Sequence, residues 1–121
     1  IMNRFIDNIY KDDYDPSIGV DFGSKTIRFQ NVNIKMQLWD TAGQEKYKAL
    51  IPSYIKGSSI VILLFDLSNK GTFENVPNWI SYMQKIYQPS LVVLCGNKLD
   101  LTRQIEFKEA YDYATSLNML Y

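Results

Sequence analysis

Trp39-Asp40-Thr41-Ala42-Gly43-Gln44-Glu45 is the stretch whose reading decides this chain. The run before it, Ile34 to Trp39, alternates apolar and polar residues as a half-buried strand does, so Asp40 stands at the carboxyl end of a strand. In open α/β sheets that is where ligands bind. A carboxylate there can hold a metal ion through water. Gly43 lets a backbone N–H approach a phosphate with no Cβ in the way, and Gln44 can orient an attacking water. Asp and Gly are also common in plain strand-end turns, and an isolated Asp-x-x-Gly would be read as one. A second motif downstream turns the balance toward phosphate sensing.

That second motif is Gly96-Asn97-Lys98-Leu99-Asp100, which closes the apolar run Leu91 to Cys95. The single carboxylate of Asp100 can accept two hydrogen bonds, and guanine offers two adjacent donors, its ring N–H and its exocyclic amine. Adenine presents an acceptor at that edge and would leave the acid unpaired, which a site built for hydrogen bonding rejects strongly. Asn97 can tie loops together or reach the base, and the stem of Lys98 can lie over the ring face. The bland alternative is a polar strand-end loop. The spacing after Asp40 and the buried strand immediately before it favour the base-reading role.

Outward from these two motifs the chain reads as α/β. Ile1, Met2, Phe5, Ile6 and Ile9 recur at helical spacing, and no N-cap precedes them. Lys11 to Gly19 is a polar loop with Pro16. Val20 to Phe29 and Ile34 to Trp39 flank an Asn-rich turn, predicting an antiparallel hairpin. Tyr47 to Lys56 predicts a short helix interrupted by Pro52 and Gly57. Ile60 to Phe65 and Leu91 to Cys95 are unbroken apolar runs, the pattern of parallel strands covered on both faces. Between them Phe73, Val76, Ile80, Met83 and Tyr87 keep a helical period, with Pro77 suited to a first turn. Phe107, Ala110, Tyr111, Ala114 and Leu117 mark a last helix, and Met119 to Tyr121 opens another strand. Strand and helix alternate through one domain, residues 1–121.

The bulk numbers exclude several classes. The 121 residues carry 13 Lys and Arg against 13 Asp and Glu, a formal net charge of zero. This gives no support to nucleic-acid binding, which calls for a basic surface. The single cysteine, Cys95, reads as a small core residue and permits no internal disulfide. No run approaches the length of a membrane span. With no histidine in the chain, no mechanism can use an imidazole base.

Taken together, Ser17-Ile18-Gly19-Val20-Asp21-Phe22, Trp39 to Glu45, Tyr47 to Tyr54, Phe65-Asp66-Leu67-Ser68-Asn69 and Gly96 to Asp100 resemble a small GTPase of the Ras superfamily, and within it the Rab family. Leu50-Ile51-Pro52-Ser53-Tyr54-Ile55 is similar to the Golgi-trafficking Rabs. Asn75 to Trp79 and Leu94 to Lys98 are similar to the nuclear-transport GTPase Ran, but the Ile-Gly-Val-Asp-Phe run favours Rab. The resemblance implies a P-loop NTPase-like three-layer sandwich, mostly parallel with one antiparallel hairpin strand. It also implies a switch that hydrolyses GTP to GDP and recruits effectors in vesicle-mediated transport.

Carried over residue by residue, Asp40 would hold Mg2+ through water, Gly43 would donate its N–H to the γ-phosphate and Gln44 would position the hydrolytic water. Asn97, Lys98 and Asp100 would read guanine. Ser17 stands where the family has a threonine that binds Mg2+ through its hydroxyl. The serine keeps that oxygen and loses the methyl that narrows its rotamers. Tyr10 either flanks the base or is a core aromatic at a helix end. Tyr14 either closes over the phosphates or is an exposed loop tyrosine. Lys46 replaces the usual arginine, losing a bidentate fork but keeping the charge. Ile18, Val20, Phe22, Trp39 and Tyr54 would supply the apolar part of an effector surface, unless they serve only strand and core packing. The implied partners are GTP or GDP, effectors, an exchange factor and a GTPase-activating protein. The implied location is the cytosolic face of endomembranes, the Golgi among them, through a lipid anchor outside this chain.

Two departures shape the expectations. The family's Gly-x-x-x-x-Gly-Lys-Ser/Thr loop, the strand before it, and the last recognition loop and helix do not occur in these 121 residues. That first strand belongs between the second hairpin strand and Ile60 to Phe65. On its own, then, this chain is expected to leave two strand edges without a partner and to bind GTP poorly. The stretch from Asp100 to Arg103 is also a few residues short of the family pattern. The competing reading is a pseudo-GTPase, an interaction module that keeps the fold without nucleotide binding; retention of both motifs weighs against it. A flavodoxin-like enzyme explains the sheet but not the motifs. The GTPase reading requires Asp40 and Asp100 to converge on opposite ends of one nucleotide.

Overall fold

The computed structural model describes residues 1–10, 18–43 and 45–121. The contacts divide it into two compact units, Ile1–Tyr54 and Ile55–Tyr121.

The first unit is built on a hairpin. Strands β1 (Val20–Phe29) and β2 (Val32–Thr41) pair antiparallel, with Ile27 opposite Ile34, Phe22 opposite Trp39 and Asp21 opposite Asp40. The two turn residues, Gln30 and Asn31, both take positive φ, 44° and 66°. That is the two-residue turn whose twist matches the flanking strands. Because side chains alternate across a strand, Gly23, Ile27, Met36, Leu38 and Asp40 share one face with Asp21, while Phe22 and Trp39 share the other. Helix α1 (Met2–Asp7) packs on the first face. A Cβ on Gly23 would lie 2.2 Å from the Ile6 methyl, so the glycine is what lets the helix approach. Lys25 fastens the other end: its ammonium donates to the carbonyl oxygen of Phe5 and lies 4.8 Å from the centre of the Phe5 ring.

After the strand end the chain forms a tight 3-10 turn over Glu45–Leu50 and the short helix α2 (Ile51–Ile55). The predicted helix is therefore two pieces, and Pro52 falls in the first turn of the second, where its missing N–H costs no hydrogen bond.

The second unit is a parallel pair with helices. Strands β3 (Ile60–Asp66) and β4 (Leu91–Asn97) run parallel from Ile60 opposite Leu91 to Asp66 opposite Asn97. They are joined through α3 (Lys70–Glu74) and α4 (Val76–Ile86). Asn69 caps α3, its side-chain oxygen accepting from the Gly71 N–H at 3.1 Å, and Pro77 sits in the first turn of α4. Helix α5 (Phe107–Ser116) follows. The chain then returns to the sheet: Leu120 bridges Val93 in parallel, its carbonyl accepting from Leu94 N–H at 2.8 Å. This is the strand opening expected at Met119 to Tyr121.

The core of this unit gathers Phe65, Leu67, Val76, Ile80, Leu94, Ile105, Ala110, Ala114 and Met119. Leu94, Ile105, Ala110 and Ala114 are wholly buried. One expectation is corrected here. Of the two unbroken apolar runs expected to be covered on both faces, Ile60 to Phe65 is not: Ile60, Ile62 and Leu64 are each about half exposed, at 53%, 59% and 49%, whereas Leu91 to Cys95 has no exposed residue. The alternate residues Leu63 and Phe65 are the ones that meet the core, and the helices of the unit contribute to that one cluster. Among the described residues β2 pairs only with β1, and β3 only with β4. The α/β class, the antiparallel hairpin and the parallel pair are as read from the sequence.

Candidate functional site

Asp40 is the second-last residue of β2 and is half-buried. Its burial pushes the carboxyl above the usual carboxylate range, and the facing Asp21 adds to the rise. Ala42 behind it is buried and ties the strand end, its N–H donating to the Gly19 carbonyl at 2.9 Å. Gly43 is exposed, with open space where a Cβ would stand. Among the described residues no packing contact demands glycine there. Gln44, Ser17 and Tyr14 lie outside the described residues. Tyr10 is 75% exposed.

Among the described residues no three His, Cys, Asp or Glu side chains gather into a metal cage. Mg2+ does not ask for one: it takes one or two carboxylates and completes its shell with water and substrate phosphates. A single hard carboxylate at a strand end therefore fits Mg2+ shared with a nucleotide.

In the second unit two parallel strands end side by side and deliver the Asn97-Lys98-Leu99-Asp100 motif. Asn97 is the last residue of β4. Its carbonyl accepts from Leu67 N–H at 3.0 Å, and the Leu67 carbonyl in turn accepts from Gln104 N–H at 2.8 Å. The loops after β3 and β4 are thus laced together, and wholly buried Ile105 anchors the short segment that follows Asp100. Gly96 makes this lacing possible, since a Cβ there would lie 2.7 Å and 2.9 Å from Leu67 side-chain carbons and 3.0 Å from the Phe65 ring. Lys98 turns the chain with φ 62°, and its carbonyl accepts from Leu101 N–H at 3.0 Å. Leu99 and Asp100 sit at the apex of that turn, exposed. This leaves the Asp100 carboxylate open to a ligand.

Sequence reasoning gave Asp66 no role, and the structure puts it at the centre of this strand end. Its Oδ2 lies 2.7 Å from the Lys98 Nζ. Its Oδ1 accepts from the Ser68 N–H at 2.8 Å and the Ser68 hydroxyl at 2.6 Å. The Lys98 ammonium, then the Ser68 donors, hold the Asp66 carboxyl below its ordinary range, and Asp66 raises Lys98 in return. An open pocket there is lined by Leu64, Phe65, Asp66, Thr72, Asn97 and Lys98. A signal existed: Asp66, like Asp40, is an acid ending an apolar run.

On the outer face of the hairpin Phe22, Trp39 and Tyr54 form a row, with ring centres 4.5 Å and 4.9 Å apart. Phe22 and Trp39 remain 51% and 46% exposed.

Across residues 1–121 the sequence matches the Ras family. The chain belongs to that family. It is 39% identical over 124 aligned positions to Ras-related protein Rab-4 of Dictyostelium discoideum, covering 100% of this chain and 60% of that relative. It is 38% identical to mouse Ras-related protein Rab-22A, covering 100% of this chain and 64% of the relative, and 36% identical to zebrafish Rab-4A, covering 58% of it. Within the Ras family the likeness is thus to Rab proteins, as the Ile18 to Phe22 run indicated. The Golgi reading rests on Leu50 to Ile55 alone. The chain spans about 60% of the length of the curated relatives it matches.

Proposed function

We propose that the protein containing this chain is a guanine-nucleotide switch of the Rab type, which hydrolyses GTP and recruits effectors in membrane trafficking. The observation that carries this reading is the end of β4. A parallel strand pair presents Asn97, Lys98 and an open Asp100 carboxylate on a laced, well-anchored loop, in a chain of the Ras family.

Each residue then has a task that its chemistry allows. Asp100 accepts the two adjacent donors of guanine. The methylene stem of Lys98 lies along the ring face, and Asn97 fastens the loop or reaches the base. Tyr10 is the aromatic that would flank the base. In the other motif, Asp40 and the Ser17 hydroxyl are the residues that would hold Mg2+, which neutralises phosphate charge when bound. The Gly43 N–H meets the γ-phosphate, Tyr14 closes over the phosphates and Gln44 orients the attacking water. GTP orders the loops carrying Ser17 and Gly43, and hydrolysis releases them. Hydrolysis of this kind is largely positioning and charge stabilisation, accelerated when a partner adds an arginine. The Phe22, Trp39 and Tyr54 row suits an effector surface: exposed aromatics in contact are the residues that interfaces favour.

The test is nucleotide binding and single-turnover hydrolysis by the full-length protein and its Gln44→Leu variant. Tight Mg2+-dependent GTP binding by both, with hydrolysis slowed only in the variant, is the expected result. Failure of the full-length protein to bind GTP or GDP would leave an interaction module instead, and unchanged hydrolysis in the variant would remove Gln44 from its role.

A further inference from the structure

We infer that Asp66 is a positioning residue for guanine recognition, acting through Lys98; this rests on the nucleotide-binding reading above. A lysine stem has four freely rotating carbons and loses rotamer freedom when it is held in place. A stem that is to lie along a purine must therefore be held before the base arrives, or binding bears that cost. Among the described residues the carboxylate on the Lys98 ammonium is Asp66, at 2.7 Å.

The carboxylate is itself fixed. One oxygen takes both Ser68 donors and the other takes the lysine. The loop carrying Ser68 is fastened from two sides. Thr72 Oγ accepts from the Asp66 N–H at 2.9 Å and donates to the Asn69 carbonyl at 2.7 Å. Leu67, buried at 2% exposure, exchanges backbone hydrogen bonds with Asn97 and Gln104. The path from core to base is therefore short and made of specific bonds: Leu67 in the core, Asp66 beside it, the Lys98 ammonium, the Lys98 stem. Both ends of the stem are set, by the φ 62° backbone and by Asp66, at the pocket that Asp66, Thr72, Asn97 and Lys98 help to line. Asp66 touches no ligand in this scheme. It selects the lysine conformation that does.

The experiment is release of fluorescent GDP from the full-length protein, measured by chase, for wild type, Asp66→Asn, Lys98→Met and the double variant. Asparagine keeps an oxygen for the Ser68 donors while ending the ion pair. Methionine keeps an apolar stem without the ammonium. Because Lys98 is 53% exposed, the pair is worth the modest amount of a solvent-screened contact, and Asp66→Asn is expected to speed release about two- to five-fold. In the Lys98→Met background the same change should do nothing, since there is no ammonium left to place. The Lys98 ζ-ammonium NMR signal, protected by the ion pair in wild type, should vanish in Asp66→Asn. An equal acceleration by Asp66→Asn in both backgrounds would show a loop effect and overturn the inference, as would unchanged release in the single variant. Wild type that binds no guanine nucleotide would instead overturn the proposed function, a result visible before any variant is made.

Discussion

Gly96 offers the sharpest test of how the loop after β4 is held. Replacing it with alanine puts a methyl 2.7 Å and 2.9 Å from Leu67 carbons and 3.0 Å from the Phe65 ring. These neighbours are only 2% and 3% exposed, so neither side chain has free space to retreat into. Overpacking of a filled core costs about 1–3 kcal/mol. Alanine returns about 0.4–1 kcal/mol by restricting the unfolded chain. Taking the middle of each range leaves a net loss of about 1.3 kcal/mol, roughly a tenfold change in the folding equilibrium. Urea unfolding of the full-length protein measures it, with Leu67→Ala as the partner variant. Leu67→Ala alone should be costly, because it empties a buried site. In that background the two closest approaches are gone and only the 3.0 Å approach to the Phe65 ring remains, so Gly96→Ala should cost clearly less than it does with Leu67 present. Should Gly96→Ala be as stable as wild type, or cost the same with Leu67 present and absent, the close-approach reasoning fails.

Two further predictions concern the same strand end. In the proposed site Asp100→Asn would turn one of two acceptors into a donor facing a guanine donor, so GDP affinity should fall by at least about a hundredfold while affinity for an adenine nucleotide does not fall with it; competition binding checks both, and equal GDP affinity would refute the base assignment. The Asp66–Lys98 pair should show in the pH dependence of stability. Asp66 is held below its ordinary pKa by Lys98 and Ser68, so its stabilising contribution is present at neutral pH and disappears as pH falls through that lowered value. With Lys98 half exposed the amount is about 0.2–1 kcal/mol. Unfolding curves of wild type and Asp66→Asn should therefore differ at pH 7 and converge in acid, and a constant difference at all pH values would argue against the pair.

Local chemistry alone determined a good deal of this protein. Alternation from Ile34 to Trp39 and the Asn-rich stretch Gln30 to Asn33 indicated the hairpin, while the pairing that starts β2 at Val32 and leaves only Gln30 and Asn31 in the turn, both at positive φ, came with the structure. The acid that ends β2 and the Asn-Lys-Leu-Asp run that ends β4 were legible because strand ends in α/β sheets are where ligand chemistry collects. Helix content was legible in kind but not in detail: the break between Glu74 and Val76, and the 3-10 turn before Ile51, depend on packing that a helical period does not encode.

Tertiary structure decided the rest. That Ile60, Ile62 and Leu64 face outward while Leu63 and Phe65 face the core is invisible in an unbroken apolar run, since coverage depends on where helices from elsewhere in the chain come to lie. The partner of Asp66 was equally out of reach. An acid thirty-two positions before Lys98 carries no mark of its partner, and only the parallel register that sets Asp66 beside Asn97 brings the carboxylate to the ammonium. Motifs are written in neighbours along the chain, whereas their support is written in neighbours across the sheet, and those exist only once the strands have paired.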